Sequence, residues 1–316
     1  MAEQVKTFRR EDEGEPIDSL DRYLEGTQAA TVEPLSFGTI ALRRLLRDRL
    51  TIIALGVIGL LVVVSVLANV ISQEFLGVDP NSTDLQITFQ PPSKEHLLGT
   101  DQLGRDQLSR LLVGGRTSLA IGFFGAIIAL TVGVSVGLLA GFFGGRVDDL
   151  VMWFINTLQS IPQIFLLLII FALFAPTPTW LVIILGFLGW VGTTRLVRGE
   201  VFSVRERDYV TASRALGASR ATLMGRHILP NVLPIVIVVT AIDIGTLILI
   251  ESALSFIGLG VQPPTATWGN MLAKAQQYFH LGPHLIIFPG LLITITVLCL
   301  FIIGDGLRDA LDPRLK

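Results

Sequence analysis

The 316-residue chain draws 51% of its residues from the apolar set and only 16% from the charged set, and its mean hydropathy is +0.65. A soluble domain carries roughly 25% charged residues and has too little interior to hide this much apolar surface. The net charge of −2 says nothing as a sum, but lysine and arginine crowd into short stretches between long uncharged ones. The one cysteine, Cys299, lies in an apolar run, so no disulfide forms within the chain.

Residues 1–40 are polar and acidic (Glu11, Asp12, Glu13, Glu15, Asp18, Asp21) and lack the apolar core and small-residue site of a signal peptide. They read as a poorly ordered tail, with the folded domain running over 41–316. Around Arg43–Leu50, Leu42, Leu45, Leu46 and Leu50 fall at helical spacing with Arg43, Arg44 and Arg47 between them. This suits a short helix on an anionic membrane surface, or equally the polar end of a first span.

A helix needs about 20 mostly apolar residues to cross a bilayer. The uncharged runs Thr51–Val70 and Thr117–Gly145 give the first two spans, expected over about 50–72 and 117–143. Leu150–Thr194 is uncharged throughout and too long for one crossing. Pro176-Thr177-Pro178 breaks it into a hairpin, with spans over about 150–174 and 179–197 and the second short. Two further spans follow at about 231–256 and 284–304. The fold class is therefore all-α and membrane-embedded, with six transmembrane helices. With the N-terminus inside, fifteen lysines and arginines flank the spans on the inner side against five outside, which puts both termini in the cytoplasm.

The loop expected over 198–229 is richly patterned. Seven arginines fall between Arg195 and Arg226, for which the preference of positive residues for the cytoplasmic side is one explanation. That preference does not require Asp208–Gly217, which reads as a short helix with a small-residue face (Ala212, Ser213, Ala215) stopped by Gly217. A second short helix through Leu223, Met224 and Ile228 precedes Pro230 and Pro234, which permit a fresh helix start. Small side chains let another backbone approach closely, and flanking arginines can pair with acids on it, so this knob is a docking device.

Here a family resemblance becomes specific. Tyr209–Pro230 resembles the cytoplasmic coupling loop of ABC importer permeases, with Thr211-Ala212-Ser213, Gly217, His227, Leu229 and Pro230 at the motif's spacing. His227-Ile-Leu-Pro-Asn231 resembles the dipeptide, oligopeptide and nickel branch. Two positions depart from the pattern, Thr211 for glutamate and Ser213 for alanine, which leaves the small-residue face but removes a carboxylate. Leu98–Leu119 resembles the branch's external segment, with Gly99, Asp101, Gly104, Arg105, Asp106 and Arg110 as its marked residues. Asp101 is expected to cap the following helix, and Asp106 to pair with Arg110 four residues on. Its expected role is to shape the outer mouth rather than to touch cargo. Gly141–Gly145, Glu251–Gly260, Gln262–Pro264 and Gly304–Pro313 extend the likeness, which runs from about Arg43 to the C-terminus.

Asp243 and Glu251 fall within the fifth span, on adjoining parts of one helix surface. A charge at bilayer depth costs at least ~2.5 kcal/mol, so both are candidates for a translocation path or gate. For Glu251, near the outer end, contact with interfacial water or a partner subunit is the alternative.

Several chemistries are disfavoured. Gly133-Val-Ser135-Val-Gly137 matches a serine-hydrolase pattern, but it lies in an apolar span, and His96, His227, His280 and His284 lie in loops or at span ends, so none can serve as its base. Gly133, Gly137 and Gly141 read instead as a close helix-packing face. The chain has no Gly-Lys-Ser/Thr phosphate loop and no histidine or cysteine spacing for a metal. It is expected to be a transport subunit without catalytic or metal-binding residues, bind no cofactor and contact no nucleic acid.

The resemblance implies assembly in a prokaryotic plasma (inner) membrane with a second permease, two cytoplasmic ATPase subunits holding ATP and Mg, and an external solute-binding protein. Tyr209, Thr211, Ala212, Ser213, Ala215 and Gly217 would couple to the ATPases. Cargo would be di- or oligopeptides, nickel complexes or short saccharides. The rival reading is a secondary transporter that uses Asp243 and Glu251 as an ion relay.

Overall fold

The computed structural model describes residues 37–174 and 177–311, so the expected tail over 1–40 lies almost wholly outside the described residues. By its internal contacts the chain falls into two units, Met1–Arg43 and Arg44–Lys316. The described residues contain no β-strand, only one isolated bridge between Thr100 and Asp106.

Helix α1 (Phe37–Leu45) ends earlier than the leucine and arginine pattern predicts. The reason is Asp48, whose carboxylate accepts the backbone N–H groups of Leu50 and Thr51 and starts α2 (Arg49–Val66). The Thr51 hydroxyl also donates to Asp48 and is the chief cause holding that carboxyl below its usual pKa. A short continuation (Ala68–Val70) and a wide π-type turn (Ile71–Phe75) complete the first crossing.

Helix α3 (Gln107–Phe143) begins ten residues before the uncharged run, because Asp106 caps it and Arg110 turns toward the Pro80 carbonyl and Asp101. α4 (Gly145–Gln159) and α5 (Gln163–Leu173) follow, bent by 72° at a break that includes Pro162. The pair covers the third span expected over about 150–174, with a bend that the expectation did not include. Pro162 has no N–H to continue the helix. α6 (Pro178–Arg205) starts with Thr177 capping Trp180 N–H and proline in the first turn.

α6 is not the short span expected. Val197, Val201 and Val204 keep an apolar stripe going past the first arginines, and all three are fully buried. α7 (Asp208–Ala215) is followed at Arg220 by a helical stretch that passes through a π-type turn (Leu223–Ile228) into α8 (Leu229–Phe256). The separate second helix expected at Leu223–Ile228 is therefore continuous with the fifth crossing. α9 (Trp268–Ala275) and α10 (His284–Leu311) complete the described chain. Among the described residues, five helices are long and apolar enough to cross a membrane, and the bent α4–α5 pair makes a sixth crossing if counted as one.

The glycine face is borne out. α3 and α6 run side by side in the same direction, and a β-carbon on Gly133 would lie 2.6 Å from Thr193 Cβ. One on Gly137 would lie 2.8 Å from the Thr194 carbonyl, and one on Gly141 2.7 Å from Val201 Cβ. In lipid no hydrophobic drive pulls helices together, so close backbone approach at small residues supplies the dispersion energy that does. Ser135, the false nucleophile, donates its hydroxyl to the Thr131 carbonyl at 2.7 Å within the same helix.

Candidate functional site

Three groups of residues carry functional interest, and the fold distributes them between the two ends and the middle of the bundle. At the end where α3 begins, residues 79–106 fold into a compact knot. Asp101 is 4% exposed, and its Oδ1 accepts the N–H groups of Leu103 (2.8 Å) and Arg105 (3.0 Å). Its Oδ2 accepts Arg105 Nε at 2.7 Å and lies 2.6 Å from Nη2 of the same guanidinium. Asp101 therefore closes its own loop and does not cap α3. That cap is Asp106, which accepts Ser109 N–H at 2.8 Å and pairs with His96 Nδ1 at 3.0 Å. The expected Asp106–Arg110 pair is absent: Arg110 reaches the Pro80 carbonyl at 3.3 Å and lies 3.8 Å from Asp101. A capping carboxylate turned toward the helix N-terminus cannot also reach one turn along its side.

Gly99 and Gly104 take φ of +79° and +69° in this knot. Any side chain on Gly104 would run into the Asp84 carbonyl, and one on Gly99 would lie 2.8 Å from His284 Nε2. His284, at the start of α10, sits 3.2 Å from the Thr100 carbonyl and ties the knot to the last crossing.

The two carboxylates of α8 have different surroundings, Asp243 midway along the helix and Glu251 toward its C-terminal end. Glu251 is fully buried: its Oε1 accepts the Ser255 hydroxyl at 2.7 Å, and its Oε2 the Ser118 hydroxyl at 3.3 Å. Ser118 in turn accepts the main-chain N–H of Trp268 at 3.1 Å, and Trp268 Nε1 donates to the Leu111 carbonyl at 3.0 Å. Glu251 thus joins α3, α8 and α9 from inside a cage of hydroxyls. Asp243 is partly exposed and accepts the Thr193 hydroxyl at 3.2 Å. It lines a cleft of about 520 Å³ with Gln159, Pro162, Gln163, Trp190 and Thr246. The α4–α5 bend forms one wall of that cleft. Pro162 inside the uncharged run is the sequence signal for it, whereas the expectation placed the break only at Pro176-Thr177-Pro178.

At the other end, α7 projects between α6 and the turn leading to α8. Leu216 closes it and Gly217 follows at φ +85°. Gly217 N–H donates to the Arg214 carbonyl and Ala218 N–H to that of Ser213, both at 3.1 Å, the double bond of a Schellman stop. Thr211 and Ala212 are exposed, Leu216 is 89% exposed, and Tyr209 stands 6.4 Å from the His227 ring. Ser213 donates back to the Tyr209 carbonyl at 2.8 Å, and Ala215 is exposed beside it.

The loop arginines divide into two sets. Arg198 clasps Asp148 on α4 with two guanidinium nitrogens, Arg195 donates to Asn156 at 2.7 Å, and Arg205 donates to the Gly141 carbonyl at 2.8 Å. These three tie α6 to its neighbours. The Asp148–Arg198 clasp joins residues fifty apart and has no local sequence signal.

A family model described as the binding-protein-dependent transport system inner membrane component matches residues 133–316. A second, the N-terminal TM domain of oligopeptide transport permease C, matches residues 36–92. The oligopeptide transport system permease protein OppC of Haemophilus influenzae is 34% identical, covering 94% of this chain and 95% of the relative. The dipeptide transport system permease protein DppC of Alkalihalophilus pseudofirmus is 36% identical over 87% of this chain and 90% of its own. The glutathione transport system permease protein GsiD of Pectobacterium atrosepticum is 37% identical over the same shares. The chain therefore belongs to the inner membrane components of binding-protein-dependent ABC transport systems, as a transmembrane permease subunit and not an enzyme.

Proposed function

We propose that the chain forms half of the translocation path of an ATP-driven importer of short peptides, and that α7 transmits the motion of the ATPase to that path. The observation that carries the reading is the exposed small-residue helix Asp208–Ala215 with its Schellman stop, in a chain whose relatives are named for oligopeptide and dipeptide transport. Ala212, Ser213 and Ala215 leave room for a partner backbone, while Tyr209, Thr211 and Leu216 offer contacts around it. In this reading α7 and both termini face the cytoplasm, and the knot over 79–106 faces the solute-binding protein outside.

The assembly comprises this chain, a second permease, two ATPase subunits that hold ATP and Mg, and the binding protein. Asp243, in the cleft beside the α4–α5 bend, is a lining group of the path. Glu251 holds the outer helices together and biases the gate through them rather than touching cargo. Affinity purification of the tagged, detergent-solubilised chain from its own membrane tests the assembly. Recovery of a second permease and of ATPases bearing phosphate-binding loops is expected. A chain that purifies alone and is fully active alone would overturn the proposal. Competition of peptide uptake by nickel complexes or short saccharides separates the cargo classes within this branch.

A further inference from the structure

The outer knot encloses a cavity of about 140 Å³ between the 101–110 segment and the chain that follows α8. Among the described residues its charged lining consists of two guanidiniums, Arg105 and Arg110, and one carboxylate, Asp101. Arg105 takes that carboxylate almost entirely, through contacts of 2.7 and 2.6 Å. Arg110 is 3% exposed yet has only long contacts, at 3.3 Å to the Pro80 carbonyl, 3.5 Å to Asn81 Oδ1 and 3.8 Å to Asp101. Gln107 stands three residues before it on the same face of α3 and also lines the cavity. Gln107 is 2% exposed and its Nε2 has no hydrogen-bond partner.

Two other amides of the wall are spent, and Gln102 is only half-buried. Asn270 Nδ2 donates to the Val261 and Thr265 carbonyls, and Gln262 Nε2 to those of Gly258 and Gly260. Among the described residues the cavity thus offers an under-paired cation and an unused donor, with no free acid. Leaving a buried charge or a buried amide without partners is costly, and an anion relieves both costs together. A cation would meet the excess guanidinium. At roughly 30 Å³ per water, the space is a few waters in size, enough for a carboxylate on a short stem and too small for a whole dipeptide.

We propose that this cavity binds one carboxylate group, its oxygens on Arg110 and Gln107 and its short apolar stem against Met271 and Leu285. The group belongs to a small free acid or to the C-terminus of a peptide whose remainder stays outside the cavity. The site is separate from the Asp243 cleft, and binding there does not depend on what the transporter carries.

The test is titration of the intact transporter in lipid nanodiscs with acetate, acetamide and methylammonium, followed by calorimetry and thermal unfolding. Ionic strength is held constant with a buffer anion too large for the cavity. Acetate gives saturable binding, and the neutral and cationic analogues do not. Gln107→Leu weakens acetate about tenfold, the scale of one lost hydrogen bond to a charged group. Ala273→Leu fills the cavity from its wall without touching a polar group and abolishes binding, which keeps the test decisive if Gln107→Leu misfolds. Diglycine binding with no response to its amide assigns the group to a peptide C-terminus; acetate binding without diglycine binding assigns it to a small acid. An equal response to acetate and acetamide, no saturable response, or undiminished binding in Ala273→Leu overturns the proposal, because water alone then fills the cavity.

Discussion

The hydroxyl of Ser118 on α3 donates to the buried carboxylate of Glu251 on α8 at 3.3 Å while accepting the main-chain N–H of Trp268 on α9 at 3.1 Å. One side chain therefore links three helices at a single point. Glu251→Leu leaves the hydroxyls of Ser118 and Ser255 without their acceptor in a dry site. The expected cost is about 1–3 kcal/mol for each group stranded. Glu251→Gln keeps an acceptor oxygen, so its thermal unfolding midpoint in detergent should fall far less than that of Glu251→Leu. Equal midpoints for the two would contradict the cage.

The α3–α6 seam predicts a contrast between glycines. A β-carbon on Gly137 would meet Val197 Cβ at 2.9 Å as well as the Thr194 carbonyl, whereas one on Gly59 meets nothing within 4 Å. Gly137→Val should therefore cost more than ~3 kcal/mol, beyond ordinary overpacking, because backbone cannot yield. Gly59→Ala should be neutral or slightly stabilising. The monodisperse yield of each variant on size-exclusion chromatography checks this.

Asp101 is the acid of the outer knot that both buried arginines share. Asp101→Ala leaves Arg105 and Arg110 uncompensated, and breaking such a buried pair costs about 3–5 kcal/mol. Asp84→Ala removes only a hydrogen bond to Gln86 N–H at the start of one short turn, worth ~1 kcal/mol. Limited proteolysis of the 79–106 segment should expose the first variant and spare the second.

Gly217 has open space around it, so Gly217→Ala has no steric cost beyond the φ of +85° itself, about 1–2 kcal/mol. The membrane bundle should stay folded while the stop after α7 loosens. Peptide-stimulated ATP hydrolysis by the assembled transporter should fall with the unfolding midpoint of the bundle unchanged. Unchanged stimulation would separate α7 from coupling.

Asp243→Asn removes a charge from the cleft but keeps an acceptor for the Thr193 hydroxyl. Uptake should fall several-fold with assembly intact. If uptake and ATPase coupling both stay at wild-type levels, Asp243 does not line the path.

What the sequence made legible follows from which interactions are local. The uncharged runs locate the membrane helices, and the four-residue spacing of Gly133, Gly137 and Gly141 announces a packing face. Helix ends were harder to read, because charge is a poor marker of where a helix stops. α6 continues through Arg195 and Arg198 as long as Val197, Val201 and Val204 have α3 to pack against. Asp101 and Asp106 both look like caps from their positions ahead of an apolar run. Only the pairing of Thr100 with Asp106, which turns the chain into α3, decides between them. The surroundings of Glu251 depend on a serine 133 residues away, which no local pattern reports. Cargo stays unread for a related reason: the cleft around Asp243 is lined by polar and apolar groups drawn from five helices, α3, α4, α5, α6 and α8, with no side-chain code along the chain.

ATP-driven coupling through ATPase partners separates this permease from an ion-coupled carrier. The most direct measurement is peptide uptake into proteoliposomes that contain the complete assembly, with the binding protein outside and ATP trapped inside. The account predicts uptake that requires ATP and the binding protein and persists when an uncoupler collapses the proton gradient. Uptake by this chain without ATP, abolished by the uncoupler, would contradict it and establish an ion-coupled carrier instead.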